Sequence, residues 1–456
     1  MTTTQVRETH TVDELYEAWA KQGIRFVVFE FADMHGMPRS KIIPLSKFKH
    51  YAQHGLRMIG VMITVDTATN IVPETYHSEE RNYGDAILRA DLSTAMVVPW
   101  MENTARVICD LYWPDGTPLQ SATRNVLRGV LKQLMEFGYS ALVALEYEFY
   151  LLRDVTTLEP VFERLHIFDT ARNVAVPVMA HIMDLLPQMG IEVLTCNSEY
   201  GPGQYEITYQ AQQGLAGGDQ SFTFKQAVKN IAHQMNYHAS FMTKPFPEQS
   251  ASGSHVHISL IKKDGENAFL DSNDPLGLSE DTYHFIGGML KHAPAALALM
   301  APTPNCYRRF VPHSFAPVNL SWGLDDRTAL VRAKNTGDGE THLENRLPSA
   351  LSNPYLAIAA TIASGLLGLK ETLKPPELAH EPAGEISSFA PLPASLDEAL
   401  VALEGDGALR AVLGEEFTEI FIKTKRQELA RQAEHVQLHV KAAELEWQRQ
   451  EYLLDY

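Results

Sequence analysis

The chain of 456 residues is 45% hydrophobic and 21% charged, which is the composition of an ordinary soluble globular protein and leaves room for two or three domains. Its net charge of -18 argues against a nucleic acid or an anionic membrane as a partner, because both attract basic surfaces. The three cysteines are widely spaced and the first residues show no basic and apolar leader. We therefore expect a cytoplasmic protein without disulfides or a secretory signal.

The first part of the chain, residues 1–118, is predicted to form a small and mostly β domain. A short helix is expected at residues 12–21, and residues 24–33 alternate like a strand before a turn. Further strands are predicted at residues 58–65, 94–100 and 105–113.

From residue 119 to residue 456 the pattern is that of an α+β domain. Its first helix is predicted after Ser121, the N-cap candidate, and ends at Gly138. Strands are predicted at residues 140–152, 191–199, 203–209 and 254–260, and helices near 175–189 and 222–238. The last third is expected to be helical, with a buried helix at 356–369, a loop at 375–393 and a long charged helix at 421–454.

Acidic and imidazole side chains recur at strand spacing in four separate segments. In VALEYEFYLL, Glu146 and Glu148 point to one face of a predicted strand, and taken alone they indicate only a solvated face. The other three segments contribute Glu199 and Glu206, then His255 and His257, then Glu344. Burying so many carboxylates without a counter-charge is costly, so together they predict a site for hard divalent cations such as Mg²⁺ or Mn²⁺.

A second cluster in this acidic chain is basic. It consists of Arg308, Arg309, Arg327, Arg332 and Arg346. Any one of them is explained by a salt bridge to a neighbouring acid, but beside a cation site the group indicates binding of phosphate and carboxylate groups. The sequence contains neither GxxxxGK[ST] nor GxGxxG, so neither a P-loop nor a Rossmann nucleotide site is indicated.

Seven segments taken in order resemble the motifs of the glutamine synthetase superfamily over nearly the whole chain: EYE, NSEYGPGQYE, SGSHVH, NCYRRFVP, APVNLSWG, ENRLP and NPYL. The resemblance implies a β-grasp domain at residues 1–118 and, at residues 119–456, a catalytic domain with an antiparallel sheet surrounded by helices. It also implies a homo-oligomer of stacked hexameric rings, a dodecamer, with active sites at subunit interfaces. ATP and two or more Mg²⁺ or Mn²⁺ ions would serve an ADP-forming ligation of glutamate with an amine.

The same resemblance assigns roles to individual residues. The ion nearer the ATP phosphates would be held by Glu146, His255 and Glu344, and the ion nearer glutamate by Glu148, Glu199 and Glu206. Glutamate and the transferred phosphoryl group would be bound by Arg309 and Arg346, and the ATP phosphates by Arg327 and Arg332. The nucleotide pocket would be lined by His257, Ser259 and either Phe222 or Phe224, although His257 is equally well explained as a packed strand histidine.

Three departures from the family pattern concern substrate binding. The run PHSFAP has Phe315 where glutamine synthetases carry a glutamate that helps to remove a proton from ammonium, and an aromatic ring cannot accept a proton. The run VDTATN keeps Asp66, which would attract a cationic amine across the subunit boundary. The run SASG has Ser250 and Ala251 in place of asparagine and glycine. The change at position 315 predicts an alkylamine substrate in place of ammonia, with methylamine favoured.

Other substrates and functions stay open on the sequence alone. Ethanolamine or a polyamine would also suit the change, and the carboxylates available for a polyamine's second charge are Glu74, Glu79 and Glu80, although a solvated surface explains them as well. A true ammonia-using glutamine synthetase, a phosphotransferase on the same fold and a non-catalytic structural member are the remaining alternatives. The stretch from Leu356 to Glu451 contains no tyrosine, so control by adenylylation is not expected.

Overall fold

The computed structural model describes residues 10–164, 167–378, 382–383, 386, 388–438 and 443–454. Its hydrophobic core consists of two clusters. The smaller is built from residues between Leu15 and Ala122 and includes Trp19 and Phe48, whose ring centroids lie 4.8 Å apart. The larger is built mainly from residues between Val126 and Leu453.

The first sheet contributes six strands within the described residues and carries the smaller core cluster. Its order is β2-β1-β6-β4-β3 with β5 paired to β6, and only the β1 and β6 neighbours are parallel. The strands are β1 (Phe26–Ala32), β2 (Pro38–Pro44), β3 (Leu56–Ile59), β4 (Asp85–Ala90), β5 (Met96–Val97) and β6 (Thr104–Tyr112). Two helices accompany them, α1 (Val12–Lys21) and α2 (Phe48–His54). The predicted helix at 12–21 is confirmed.

The predicted strand at residues 58–65 is only partly correct. Strand β3 ends at Ile59, and a 3-10 helix follows at Gly60–Ile63. The backbone N–H of Thr64 donates to the carbonyl oxygen of Val61 (3.0 Å), and this local hydrogen bond turns the chain away from the neighbouring strand. Val61 and Ile63 are both buried, so the apolar pattern alone does not distinguish this short helix from a strand.

The second sheet contributes ten strands and is antiparallel except between β14 and β15. Its order is β14-β15-β16-β13-β7-β10-β9, and β8, β11 and β12 pair with the long central strand β7. The strands are β7 (Ser140–Asp154), β8 (Glu159–Pro160), β9 (Val193–Ser198), β10 (Gln204–Tyr209), β11 (Gln212–Gln213), β12 (His238–Ser240), β13 (Ser254–Ile261), β14 (Trp322–Leu324), β15 (Val331–Lys334) and β16 (His342–Asn345).

Helices pack around this sheet and supply most of the larger core cluster. They are α3 (Thr123–Phe137), α4 (Thr170–Ala175), α5 (Pro177–Leu185), α6 (Leu215–Gln234), α7 (Glu280–Met300), α8 (Pro354–Glu371), α9 (Leu396–Gly405), α10 (Gly407–Leu413), α11 (Glu415–Leu438) and α12 (Ala443–Tyr452). Helix α8 contains the buried helix predicted at 356–369. Across the described ranges, no helix combines the length and apolar character needed to cross a bilayer.

Two helix starts differ from the prediction. Helix α3 is preceded by Ala122, while the Ser121 hydroxyl lies 2.7 Å from His77 Nε2 and caps nothing. Helix α6 begins at Leu215, not near 222, although its first turn contains two glycines that disfavour a helix. A Cβ atom at Gly218 would lie 2.7 Å from the ring of Tyr355, so close packing requires glycine there and overrides the low helix propensity.

The C-terminal prediction is confirmed in its helical character and corrected in its continuity. The predicted helix at 421–454 contains part of α11 and all of α12, and residues 439–442 lie outside the described part of the chain. Arg431 of α11 pairs with Glu451 of α12 at 2.7 Å, which one straight helix would not allow for residues 20 apart. The proline-rich stretch from Pro375 to Pro393 contains no named α-helix or strand among its described residues, and residues 379–381, 384–385 and 387 lie outside them.

Candidate active site

Strand register brings the predicted acidic and imidazole residues to one face of the second sheet. On β7, Glu146 and Glu148 alternate with the buried Leu145, Tyr147 and Phe149, which face the core. The residue opposite Glu146 on β13 is His255, and the residue opposite Glu148 on β10 is Glu206. On the other side of β13, His257 is opposite Glu344 of β16. Residues directly opposite on neighbouring strands have adjacent side chains. Four strands therefore build one acidic face.

The two histidines contact the carboxylates from different sides. The Nδ1 atom of His255 lies 3.0 Å from Glu146 Oε1 and 3.3 Å from Glu344 Oε1. The Nε2 atom of His257 lies 3.4 Å from Glu146 Oε2. Ligand atoms of Glu146, His257 and Glu344 all lie within 4.8 Å of one another, which is the spacing of a possible metal site. The structure therefore groups His257 with Glu146 and Glu344, while the predicted His255 contacts the same two carboxylates through Nδ1 and stays a predicted ligand.

Like charges in this cluster disturb the proton affinity of two further glutamates. Burial, together with the charges of Glu146 and Glu148, raises the pKa of Glu206 to about 10. Burial and the charge of Glu148 raise the pKa of Glu199 to about 7. These carboxylates cannot all be ionised unless a cation offsets their charge. The residues present therefore fit a divalent cation that prefers oxygen and imidazole ligands, such as Mg²⁺ or Mn²⁺.

Three of the five arginines converge on Glu344 and His255. Arg346 donates to Glu344 Oε1, and Arg332 donates to Glu344 Oε2 at 3.0 Å. Arg309 donates to His255 Nε2 (3.2 Å) and is held by the carbonyl oxygens of residues 346 and 347. All three guanidinium groups are buried. The charge of Arg346, with smaller contributions from the two histidines, outweighs the effect of burial and lowers the pKa of Glu344 to about 2.

The other two arginines lie outside this group of contacts. Arg308 pairs with Glu444 of α12 at 2.9 Å. The side chain of Arg327 is exposed, in the turn before β15, and no ion pair of it is found among the described residues. A role for Arg327 at the ATP phosphates stays a prediction.

The SASG segment is anchored in spite of its departure from the family pattern. The hydroxyl of Tyr150 donates to the Ser250 carbonyl (2.6 Å), and the Gln204 amide donates to the Ala251 carbonyl (3.1 Å). The backbone N–H of Gly253 donates to Glu148 Oε2 at 2.9 Å. A Cβ atom at Gly253 would lie 3.0 Å from both Arg309 and His255, so glycine is needed to keep the segment this close to the site.

An exposed aromatic pair lies beside the acidic face. Phe315 is 51% exposed and stacks on Tyr200, which is 45% exposed, with ring centroids 6.1 Å apart. Tyr200 directly follows Glu199, and the Phe315 carbonyl accepts a hydrogen bond from Arg346 at 3.2 Å. Phe315 has a φ of 58°, a left-handed conformation that bulky residues rarely adopt. Sequence reasoning missed Tyr200, although its position next to Glu199 in the NSEYGPGQYE motif was the available signal.

The structure corrects the prediction for the two aromatic residues of α6. Phe222 and Phe224 are 1% and 0% exposed. The ring of Phe224 stacks on Tyr147 at 5.4 Å, on the opposite face of β7 from Glu146. Both belong to the larger core cluster, so neither lines a nucleotide pocket. Ser259 is also buried, and its hydroxyl donates to the Thr341 carbonyl at 2.9 Å.

Asp66 is also placed differently from the prediction. It is 0% exposed, and its Oδ1 accepts from the backbone N–H groups of Ala68 (3.0 Å) and Asn70 (2.7 Å). Its Oδ2 accepts from Gln427 and Arg431 of α11, at 3.2 and 3.3 Å. The carboxylate is therefore used inside its own chain, and as placed it is not available to attract an amine.

Comparison with known proteins agrees with this geometry. Residues 120–448 match the family described as glutamine synthetase, catalytic domain. The chain is 34% identical to a glutamine synthetase of Halobacterium salinarum, over 95% of this chain and 94% of that protein. It is 33% identical to a glutamate–isopropylamine ligase of a Pseudomonas species, over 90% of this chain and 92% of that protein. A solved GmaS/ADP complex has a TM-score of 0.84 at 27% identity and covers 97% of this chain and 99% of its own. The chain therefore belongs to the glutamine synthetase family and is a carbon-nitrogen ligase.

Proposed function

We propose that this protein joins glutamate to a small alkylamine in an ATP-dependent reaction that passes through an acyl phosphate and releases ADP and phosphate. The observation that carries the proposal is the aromatic pair of Phe315 and Tyr200 beside the acidic face of the second sheet. An aromatic pair provides an apolar wall and π faces, which suit an alkylammonium ion better than ammonium. Methylamine is the favoured amine.

Residues of this chain would bind the cations, bind carboxylate and phosphoryl oxygens, and keep water away from the amine. Glu148, Glu199 and Glu206 would hold one divalent cation, while a second would be held between Glu146 and Glu344. When bound, such cations reduce the electrostatic repulsion between an anionic carboxylate and an anionic phosphate.

The arginines and the aromatic pair complete the site. Arg309 and Arg346 present rigid donors in a buried setting, where charge-assisted hydrogen bonds to carboxylate and phosphoryl oxygens are strong. Arg332 is tied to Glu344, so it would orient that ligand as well as contact phosphate. Phe315 and Tyr200 would keep water away from the attacking amine.

Several amines remain to be separated by experiment. The relatives include both a glutamine synthetase and a glutamate–isopropylamine ligase at nearly equal identity, so identity alone does not choose between ammonia and an alkylamine. A polyamine is less well supported. Of the carboxylates considered for it, Glu74 faces Lys423 of α11 at 3.9 Å, and no observation connects it with Phe315.

The test of the proposal is an amine panel. Purified protein with ATP, glutamate and Mg²⁺ or Mn²⁺ is supplied with ammonia, methylamine, ethanolamine, isopropylamine or putrescine, and both phosphate release and the amide mass are measured. We expect methylamine to give the highest kcat/KM and a γ-glutamyl amide. Absence of stimulation by every amine would contradict a ligase role and favour a non-catalytic member, while ADP without amide would indicate a phosphotransferase.

Replacing Phe315 by glutamate is expected to shift kcat/KM toward ammonia by about tenfold relative to methylamine, because a carboxylate accepts a proton and disfavours an apolar group. Phe315→Leu is the matched control, since it keeps an apolar wall and adds no proton acceptor. Both rates are measured for each variant. Equal amine selectivity in the wild type and Phe315→Glu would contradict the assignment of Phe315 to the amine site.

We further infer the domain organisation and assembly of the family for this chain. The two core clusters support a β-grasp domain at residues 1–118 and a catalytic domain at 119–456. Edge strands β2 and β9 carry exposed apolar residues, Ile42 at 59% and Leu194 at 55%, and exposed edges of this kind are usually covered. They support a homo-oligomer of stacked hexameric rings with active sites between subunits. Light scattering after size-exclusion chromatography tests this, and a monomeric active enzyme would contradict it.

A further inference from the structure

One face of α11 runs along the chain segment between Asp66 and Tyr76. The residues that make the contacts recur at every fourth position, which places them on the same side of the helix. They are Glu419, Lys423, Gln427 and Arg431, and we call them the α11 stripe. The Tyr76 hydroxyl donates to Glu419 at 3.4 Å, and Lys423 donates to the Glu74 carbonyl oxygen at 2.8 Å. The other two stripe residues donate to Asp66 Oδ2 at 3.2 and 3.3 Å.

The neighbouring helix α12 adds to this hold through Glu451. The Thr67 hydroxyl donates to Glu451 at 2.7 Å. Arg431 donates to Glu451 at 2.7 Å and to the Thr67 hydroxyl at 3.1 Å. The two helices therefore contact both Asp66 and the residue after it, and Asp66 is fully buried as a result.

The turn that carries Asp66 has hydrogen bonds of its own. Val65 forms an isolated bridge with Ile71, and the backbone N–H of Asp66 donates to the Asn70 carbonyl oxygen at 2.9 Å. Asp66 Oδ1 accepts only from N–H groups within the turn, whereas Oδ2 accepts from the Asn70 side chain (3.0 Å) and from α11. The hydrogen bonds of the turn thus do not depend on α11, and its separation from the helix would uncover Oδ2.

The backbone of this segment is strained in the position that α11 holds. Thr69, Glu74 and Tyr76 have φ values of 67°, 56° and 60°, in the left-handed region that favours glycine. Such conformations persist only where surrounding contacts maintain them, and they concentrate in segments that switch between states. The strain therefore favours release of the segment.

The contacts that oppose release are weak. A cavity of about 510 Å³ is lined by residues 72–74 together with Lys423 and Gln427, so the segment is not closely packed against α11 there. The Glu74 side chain is 81% exposed and lies 3.9 Å from Lys423. Exposed ion pairs of this kind contribute little to stability. The turn is thus held mainly by the polar contacts of Asp66 and Thr67.

We propose that the α11 stripe is an autoinhibitory strap, which holds the Asp66 turn where its carboxylate cannot reach an amine and which must release the turn for catalysis. The freed carboxylate would attract the cationic amine at the active site of a neighbouring subunit. Because Asp66 would act on an amine, this step rests on the proposed function. Only the fraction of molecules with a released turn would bind the amine well, so the strap raises the apparent KM for the amine.

The experiment combines hydrogen–deuterium exchange of residues 65–76 in the full-length enzyme with steady-state kinetics in methylamine. Arg431→Met and Gln427→Leu each remove a contact to Asp66 Oδ2. In Arg431→Met we expect exchange to be faster by about tenfold, because amides of an exposed turn are poorly protected. The KM for methylamine should fall by about threefold with a smaller change in kcat. Gln427→Leu should change both quantities in the same direction.

Two further variants distinguish release of the turn from a general disturbance of α11. Arg426→Met is the matched control, since Arg426 pairs with Asp397 and Glu404 and contacts no residue of the turn among the described residues. It should leave exchange and KM unchanged. In the Arg431→Met background, Asp66→Asn should abolish the gain in methylamine affinity, because the gain depends on the freed carboxylate.

Unchanged exchange in both stripe variants, or an equal increase in Arg426→Met, would overturn the strap whatever the amine panel shows. With an active enzyme, an unchanged or higher KM for methylamine in the stripe variants would overturn it as well, because α11 would then not withhold Asp66. If exchange rises only in the stripe variants while the amine panel yields no amide, the strap stands and the proposed function fails.

Discussion

Replacement of Glu148 by glutamine is expected to lower the rate of amide formation by at least about 1,000-fold while the protein still folds. Glu148 Oε2 accepts the backbone N–H of Gly253 at 2.9 Å, and its strand partner is Glu206. A glutamine side chain keeps an oxygen for Gly253 but loses the negative charge. Burial raises the pKa of Glu199 and Glu206, and the charge of Glu148 raises it further. Removing that charge therefore relieves repulsion between carboxylates.

Steady-state rates and unfolding temperatures of Glu148→Gln, Glu148→Ala and a surface control test this expectation. The control is Glu136→Gln on α3, whose side chain is 62% exposed, and it should leave both quantities unchanged. In the alanine variant the Gly253 N–H loses its partner, so it should be somewhat less stable than the glutamine variant. A Glu148→Gln enzyme that retains more than about a tenth of the wild-type rate would place the carboxylate outside the reaction.

Divalent cations are expected to raise the unfolding temperature of the chelator-treated protein, and to raise it more at about pH 8.5 than at about pH 6. The pKa of Glu199 is raised to about 7 and that of Glu206 to about 10. A raised folded-state pKa contributes stability below the unfolded value of 4.5 and loses it as pH rises through the folded value. The metal-free site is therefore least favourable at alkaline pH, where fewer protons also compete with the cation.

The variant Glu206→Gln tests whether the rise in unfolding temperature comes from cations bound at this site or at other groups. Glutamine cannot ionise, so the metal-free variant should unfold several degrees above the wild type at about pH 8.5 and lose most of its response to Mn²⁺. The matched control is Glu192→Gln, an exposed carboxylate just before β9. Differential scanning fluorimetry at both pH values provides the measurement. A Mn²⁺-induced shift of wild-type size in Glu206→Gln would contradict the assignment of Glu206 to the cation site.

Much of the fold and of the acidic face was predictable because local patterns encode them. Alternation in VALEYEFYLL places Glu146 and Glu148 on one side of a strand, and β7 confirms that placement. Helix α1 and the buried helix α8 followed from periodicity and composition. The start of α6 did not, because contact with Tyr355 overrides the helix-breaking tendency of its glycines.

Residue identity alone was a weaker guide to which side chains enter the site. The family resemblance assigns Phe222 or Phe224 to the nucleotide pocket, but both side chains are buried in the larger core cluster. Asp66 matches the aspartate of the family motif, but its carboxylate accepts hydrogen bonds from Gln427 and Arg431 of α11. Tyr200 lies next to Glu199 in the NSEYGPGQYE motif, but its contact with Phe315 joins distant parts of the chain and is not encoded in that spacing.

The family, the predicted metal ligands and the exchange of glutamate for Phe315 are all recognisable from the chain alone, because each is carried by residue types at fixed local spacing. Contacts between distant strands set which nitrogen of each histidine faces Glu146, Nδ1 for His255 and Nε2 for His257. Glu146 and His255 are 109 residues apart in the chain. Strand register sets these contacts, and the local pattern of the sequence does not reveal that register.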